Sequence, residues 1–199
     1  MAITKTQIQK WNEYFNSLTK PQKRVAIAED VIKQIKAKKY LPKQMAYVTF
    51  KKLENSEEQI QTNFDKIECT CCALGGLFLS EVKFNNSCTF KELNYNDFSK
   101  GNYFEEKPLK RLNKYFSLSQ LVLTEFAFEC WGTNELYYND DNSVHIDMGI
   151  GNHKTLKELK LTENDIEKAC EFGNDYLYPN DRLLAIMKNI VLNEGTFKP

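Results

Sequence analysis

The chain has 199 residues, of which 42% are hydrophobic and 13% aromatic, with 27 basic against 27 acidic side chains. That size and composition exclude a disordered chain and suffice for one domain with a real core. No apolar run approaches the roughly 20 residues that span a bilayer, and none follows Met1 as in a secretory leader, so the expectation is a cytoplasmic protein.

The zero net charge conceals a division. Residues 1–52 hold twelve Lys/Arg against Glu13, Glu29 and Asp30, which leaves residues 53–199 about nine charges negative. A chain polarised in this way can steer a charged partner to one end. Only Arg24, Arg111 and Arg182 are arginines, and lysine is a hydrated point charge without the planar fork that clamps phosphate, so diffuse attraction is expected over specific phosphate binding. Six cysteines without a leader read as free thiols, with burial in the core as the default for each.

In chain order, Ile8, Trp11 and Phe15 lie at helical spacing in a first helix, Thr6 to Ser17. Pro21 suits the first turn of a second helix, whose apolar face is Val25, Ala28, Val31, Ile32 and Ile35. The lysines that end this helix suit its dipole, and Pro42 stops it. Lys33, Lys36, Lys38, Lys39, Tyr40 and Lys43 form the candidate partner-binding surface. Gln44 to Lys51 reads as a strand and Ser56 to Ile67 as a short polar helix. Thr70 to Val82 reads as a buried central helix in which Ala73, Gly75 and Gly76 permit close approach by another backbone. Two adjacent helical glycines cost about 1 kcal/mol each against alanine, which implies a packing reason for them.

Lys83 to Tyr103 reads as a long connection and Lys107 to Tyr115 as a short helix opened by Pro108. Ser117 and Gln120 fit a capping box, with Phe116 and Leu121 as its hydrophobic staple. The helix from Leu118 to Trp131 is apolar on most sides, with Gln120, Thr124, Glu125 and Glu129 as a narrow polar strip. It is therefore expected to be buried against the glycine-bearing helix. Tyr137 to Met148 reads as a hairpin turning at Asn139 to Ser143. Two further helices follow, Ile166 to Phe172 after a cap at Thr162, and Arg182 to Asn193 after Asn180 or Asp181. The fold expected is a single α+β domain over residues 1–199, predominantly helical, packed around the glycine-bearing helix with a small hairpin or sheet.

Two constellations carry candidate chemistry. Cys71 and Cys72 at a helix N-terminus, with His145 and Asp147 downstream on a strand, have the order of a cysteine hydrolase or transferase in which Cys72 is the nucleophile and His145 the base. Cys69, Cys71, Cys72 and Cys88, completed by His145 or His153, have half of a zinc spacing, since Cys88 stands alone. Gly149 to Thr155 lacks the Walker and dinucleotide spacings, and Asn139 to Ser143 lacks the glycine and glutamate of a calcium loop. No cofactor or metal is assigned from the sequence. The acidic remainder opposes direct nucleic-acid binding, which is expected to be weak, and leaves a protein or nucleoprotein complex as the expected partner.

Three stretches, Cys71-Cys-Ala-Leu-Gly-Gly-Leu77, Gln120 to Glu129 and Asp181 to Pro199, together resemble small uncharacterised proteins of bacteriophages and prophages. The resemblance implies a phage or bacterial origin and transfers no catalytic residue. With the charge division and the aromatic content, it points to a non-enzymatic protein that binds a macromolecule, such as an inhibitor of a host defence system of the anti-CRISPR kind. A cysteine hydrolase or transferase is the alternative.

Overall fold

The structure, a computed structural model, describes residues 3–51, 57–85, 88–90, 106–130, 136–138, 143–147 and 153–199. Short polar signals start most of its helices. Thr4 with Gln7 closes a full capping box on α1 (Lys5–Ser17), and the Gln22 side chain accepts the Thr19 N–H at the start of α2 (Lys20–Lys36). Thr155 with Glu158, and Thr162 with Asp165, close full boxes on α6 (Leu156–Leu159) and α7 (Glu163–Asn174). Each box satisfies N–H groups that a helix start leaves without partners.

The segment read as one central helix divides in two. Cys69–Cys71 is a strand, β3, and α3 begins only at Ala73 and runs to Asn85. Thr70, expected as the first residue of that helix, is therefore a strand residue. β3 lies between β1 (Tyr40–Pro42), which it pairs in parallel, and β2 (Val48–Phe50), which it pairs antiparallel. The strand expected over 44–51 is shortened to β2, and β1 was not foreseen. α3 is the buried centre: every residue from Ala73 to Phe84 is buried, and it packs against α1, α2, α4 (Glu106–Leu112) and α5 (Leu118–Glu129). α5 in turn packs on α7 and on α8 (Pro179–Leu192), and α8 packs along α2.

β4 (Leu136–Tyr138) and β5 (Val144–Asp147) form the expected hairpin, and β6 (His153–Thr155) adds an antiparallel third strand. The hairpin turn at 139–142, residues 148–152 of the glycine turn and most of the connection at 86–105 lie outside the described residues. The fold is predominantly helical α+β, with two three-stranded sheets among the described residues. No described helix is long and apolar enough to cross a membrane.

The two glycines of α3 do different things. A Cβ at Gly75 would fall 1.7 Å from the Tyr47 carbonyl oxygen, so the backbone before β2 rests directly on the helix there. A Cβ at Gly76 would meet Val31 at 3.5 Å, an ordinary contact. A second close crossing lies at Gly173 of α7, where a Cβ would fall 1.9 Å from the Ala127 carbonyl oxygen of α5. Buried polar ties hold the first helices together. Lys83 of α3 pairs with Asp30 of α2, and its ammonium lies 5.0 Å from the ring centre of Trp11 of α1.

Candidate functional site

The described residues bring together one compact set of chemistry-bearing side chains, Cys72, Glu125 and Glu129, all buried, with ligand-capable atoms within 4.8 Å of one another. Each arrives for a local reason. Cys72 follows the last residue of β3, and its amide donates to the Ala46 and Tyr47 carbonyls at 2.5 and 3.3 Å. It thereby occupies the N-cap of α3, and its Sγ accepts the Gly75 N–H at 3.4 Å, as a serine hydroxyl would at that position. Glu125 and Glu129 are four residues apart on α5, hence one turn apart on one face.

Glu125 Oε2 accepts the Leu74 N–H at 3.3 Å, a second free donor of the α3 start, whereas Glu125 Oε1 is buried without a hydrogen-bond partner. Glu129 accepts the Met45 N–H on both oxygens, at 3.2 and 2.9 Å. Met45 adopts a left-handed conformation with φ 58°. Gln44 Nε2 donates to the Glu129 carbonyl at 2.6 Å. Arg182 of α8 closes the same end of α5, with its N–H groups donating to the carbonyls of Phe128, Gly173 and Tyr176 at 2.8–2.9 Å. The junction thus ties α3, α5, the 44–47 loop and α8 around three acidic groups.

Burial dominates their protonation. It pushes the Cys72 thiol well above its ordinary value, with the Glu125 and Glu129 charges adding to the effect. Burial, then the neighbouring Glu129, pushes Glu125 well up. Glu129 rises to about 7 through burial, opposed by the Met45 N–H and the Arg182 guanidinium. At neutral pH the thiol holds its proton, and the Glu125 carboxyl is shifted toward its protonated form.

That chemistry is the reverse of an activated nucleophile, which needs a lowered pKa and an adjacent base. Cys72 is 0% exposed. Among the described residues no hydrogen bond joins it to His145, which instead sits on β5, between β4 and β6, with its Nε2 2.7 Å from the hydroxyl of Ser143 just before that strand. The side chain of Asp147 lies outside the described residues. The proposed cysteine set does not assemble either: Cys69, Cys71, Cys72 and Cys88 form no common cluster among the described residues, and the His153 side chain lies outside them.

The lysine surface is divided. Lys33, Lys36, Lys38 and Lys43 are exposed, and among the described residues none has a carboxylate partner. Lys39 is half-buried, donating to the Asp65 carbonyl at 2.9 Å and lying 3.6 Å from its carboxylate. Tyr40 is not a surface residue. It is 1% exposed, edge-on to Phe64 and 3.4 Å from the Ser80 hydroxyl, because β1 turns its side chain into the core.

Glu125 and Glu129 were visible in the sequence as a polar strip on a helix expected to be buried. Two carboxylates with an i, i+4 spacing on such a helix are the signal that could have singled them out. No family model matches the chain, and neither a curated protein nor a solved structure matches it.

Proposed function

We propose that the protein acts by binding and not by catalysis, presenting Lys33, Lys36, Lys38 and Lys43 to an acidic protein surface. The observation that carries this reading is that these four ammonium groups, at the C-terminal end of α2 and on either side of β1, are exposed and unpaired among the described residues. Two of them, Lys33 and Lys36, occupy the last turn of α2, where they also complement its dipole. Dipole complementation accounts for those two alone; Lys38 and Lys43 lie beyond the helix end. The reversed thiol chemistry at Cys72 supports the same reading by removing the best nucleophile from consideration. The resemblance to phage and prophage proteins supplies a setting, inhibition of a host defence complex, and supplies nothing about which one.

The test is affinity capture from a bacterial lysate with the natural chain and with a variant carrying Lys33→Glu, Lys36→Glu, Lys38→Glu and Lys43→Glu. Lys39 is left intact because it bonds Asp65. The expected result is a salt-sensitive partner that the natural chain retains and the variant loses, with circular dichroism unchanged. An identical captured set from both proteins overturns the proposal. Naked duplex DNA at physiological salt is expected to bind neither protein appreciably, because residues 53–199 repel phosphate.

A further inference from the structure

We propose that Cys72, Glu125 and Glu129 form a binding site for a single divalent zinc ion, a role separate from the lysine surface. The site is built before any ion arrives. Three ligand-capable atoms, one from the start of α3 and two from the C-terminal half of α5, lie within 4.8 Å of one another. Zinc bonds thiolate sulfur at about 2.3 Å and carboxylate oxygen at about 2.0–2.2 Å, so modest side-chain torsions bring all three onto one ion. Glu125 Oε1 supplies the independent sign of a missing ligand. It is a fully buried carboxylate oxygen that makes no hydrogen bond of ordinary geometry, in a carboxyl whose side-chain neighbour is the Cys72 thiol, and an under-satisfied acceptor there is costly.

The donor set selects the ion. A thiolate is a soft ligand that calcium and magnesium do not favour, whereas a mixed sulfur and carboxylate set suits zinc. Charge also closes: one thiolate and two carboxylates bring three negative charges, the ion two positive, and the Arg182 guanidinium the third. Arg182 is buried, bonds only carbonyls and lowers the proton affinity of Glu129 by its charge. Binding forms one S–Zn and at least two O–Zn bonds, and the Cys72 thiol proton, with any proton held by the carboxyls, leaves to solvent. A second carboxylate oxygen or a water completes four-coordination.

The test strips the full chain with a chelator and titrates it with Co2+ and then Zn2+ alone. One equivalent of Co2+ is expected to bind and to give the near-ultraviolet absorption of a single sulfur-to-cobalt charge transfer, which Zn2+ then displaces. Cys72→Ser removes that band, while Cys88→Ser, which alters a thiol outside the cluster, leaves it intact. Glu125→Gln weakens Zn2+ binding at least about a hundredfold, since even outer-shell losses typically cost 10–100-fold. Should either cluster variant fail to fold by circular dichroism, Glu129→Gln, which retains an acceptor for the Met45 N–H, is expected to weaken binding comparably. No stoichiometric metal uptake by the natural chain, or a cobalt band that survives Cys72→Ser, overturns the proposal.

Discussion

Glu129 shows how position sets the chemistry of a single side chain. Its carboxyl titrates at about 7 because burial disfavours the charged form more than the Met45 N–H and the Arg182 guanidinium favour it. In the unfolded chain the group titrates near 4.5, so between those values the folded state holds a proton that the unfolded state has lost. Folding stability therefore falls as pH rises from about 4.5 to about 7 and changes no further above it on this group's account. In the chelator-treated protein, Glu129→Gln is expected to flatten that decline and to raise stability at about pH 8 by roughly 3 kcal/mol, the order of the cost that such a shift represents. Urea unfolding of both proteins at about pH 5 and pH 8 measures it. A parallel decline in the two proteins would place the proton elsewhere.

Among the elements, α3 depends on a backbone contact that its glycines make unequally. Gly75→Ala would drive a methyl into the Tyr47 carbonyl, 1.7 Å from its ideal position, and backbone cannot step aside as a side-chain tip can. The expected loss is at least about 3 kcal/mol, at the upper end of overpacking costs. Gly76→Ala meets Val31 at an ordinary 3.5 Å and gains helix propensity, so it is expected to be neutral or stabilising by up to about 1 kcal/mol. Thermal melts of the two variants separate them, and equal effects would contradict the assigned contact.

The same segment shows what local patterns convey. The caps at Ser117 and Thr162 were legible because a capping residue and its partner lie within one turn. The strand Cys69–Cys71 was not, because a continuous apolar run has no period that separates a buried strand from a buried helix. Even the box at Ser117 is half a box. Ser117 Oγ accepts the Gln120 N–H at 3.2 Å, but the Gln120 side chain accepts the Phe197 N–H at 2.6 Å and so anchors the C-terminal tail. The site was less legible than the fold for the same reason. Glu125 and Glu129 could be seen as a pair, but Cys72, Met45 and Arg182 reach them only through tertiary packing.

Across the molecule, the interior and the exterior divide the work. Thiols and carboxyls collect where α3, α5 and α8 meet, while unpaired lysines collect at the end of α2 and beside β1. Of the six cysteines only Cys130 is partly exposed. Its thiol is itself raised by burial and by Glu129, against the pull of Arg182. Residue-resolved thiol labelling in native buffer, followed by mass spectrometry, tests this division most directly. The account predicts that Cys130 is modified first and that Cys72 stays silent until denaturant is added; rapid native labelling of Cys72, with a pH midpoint below that of an ordinary thiol, would contradict it.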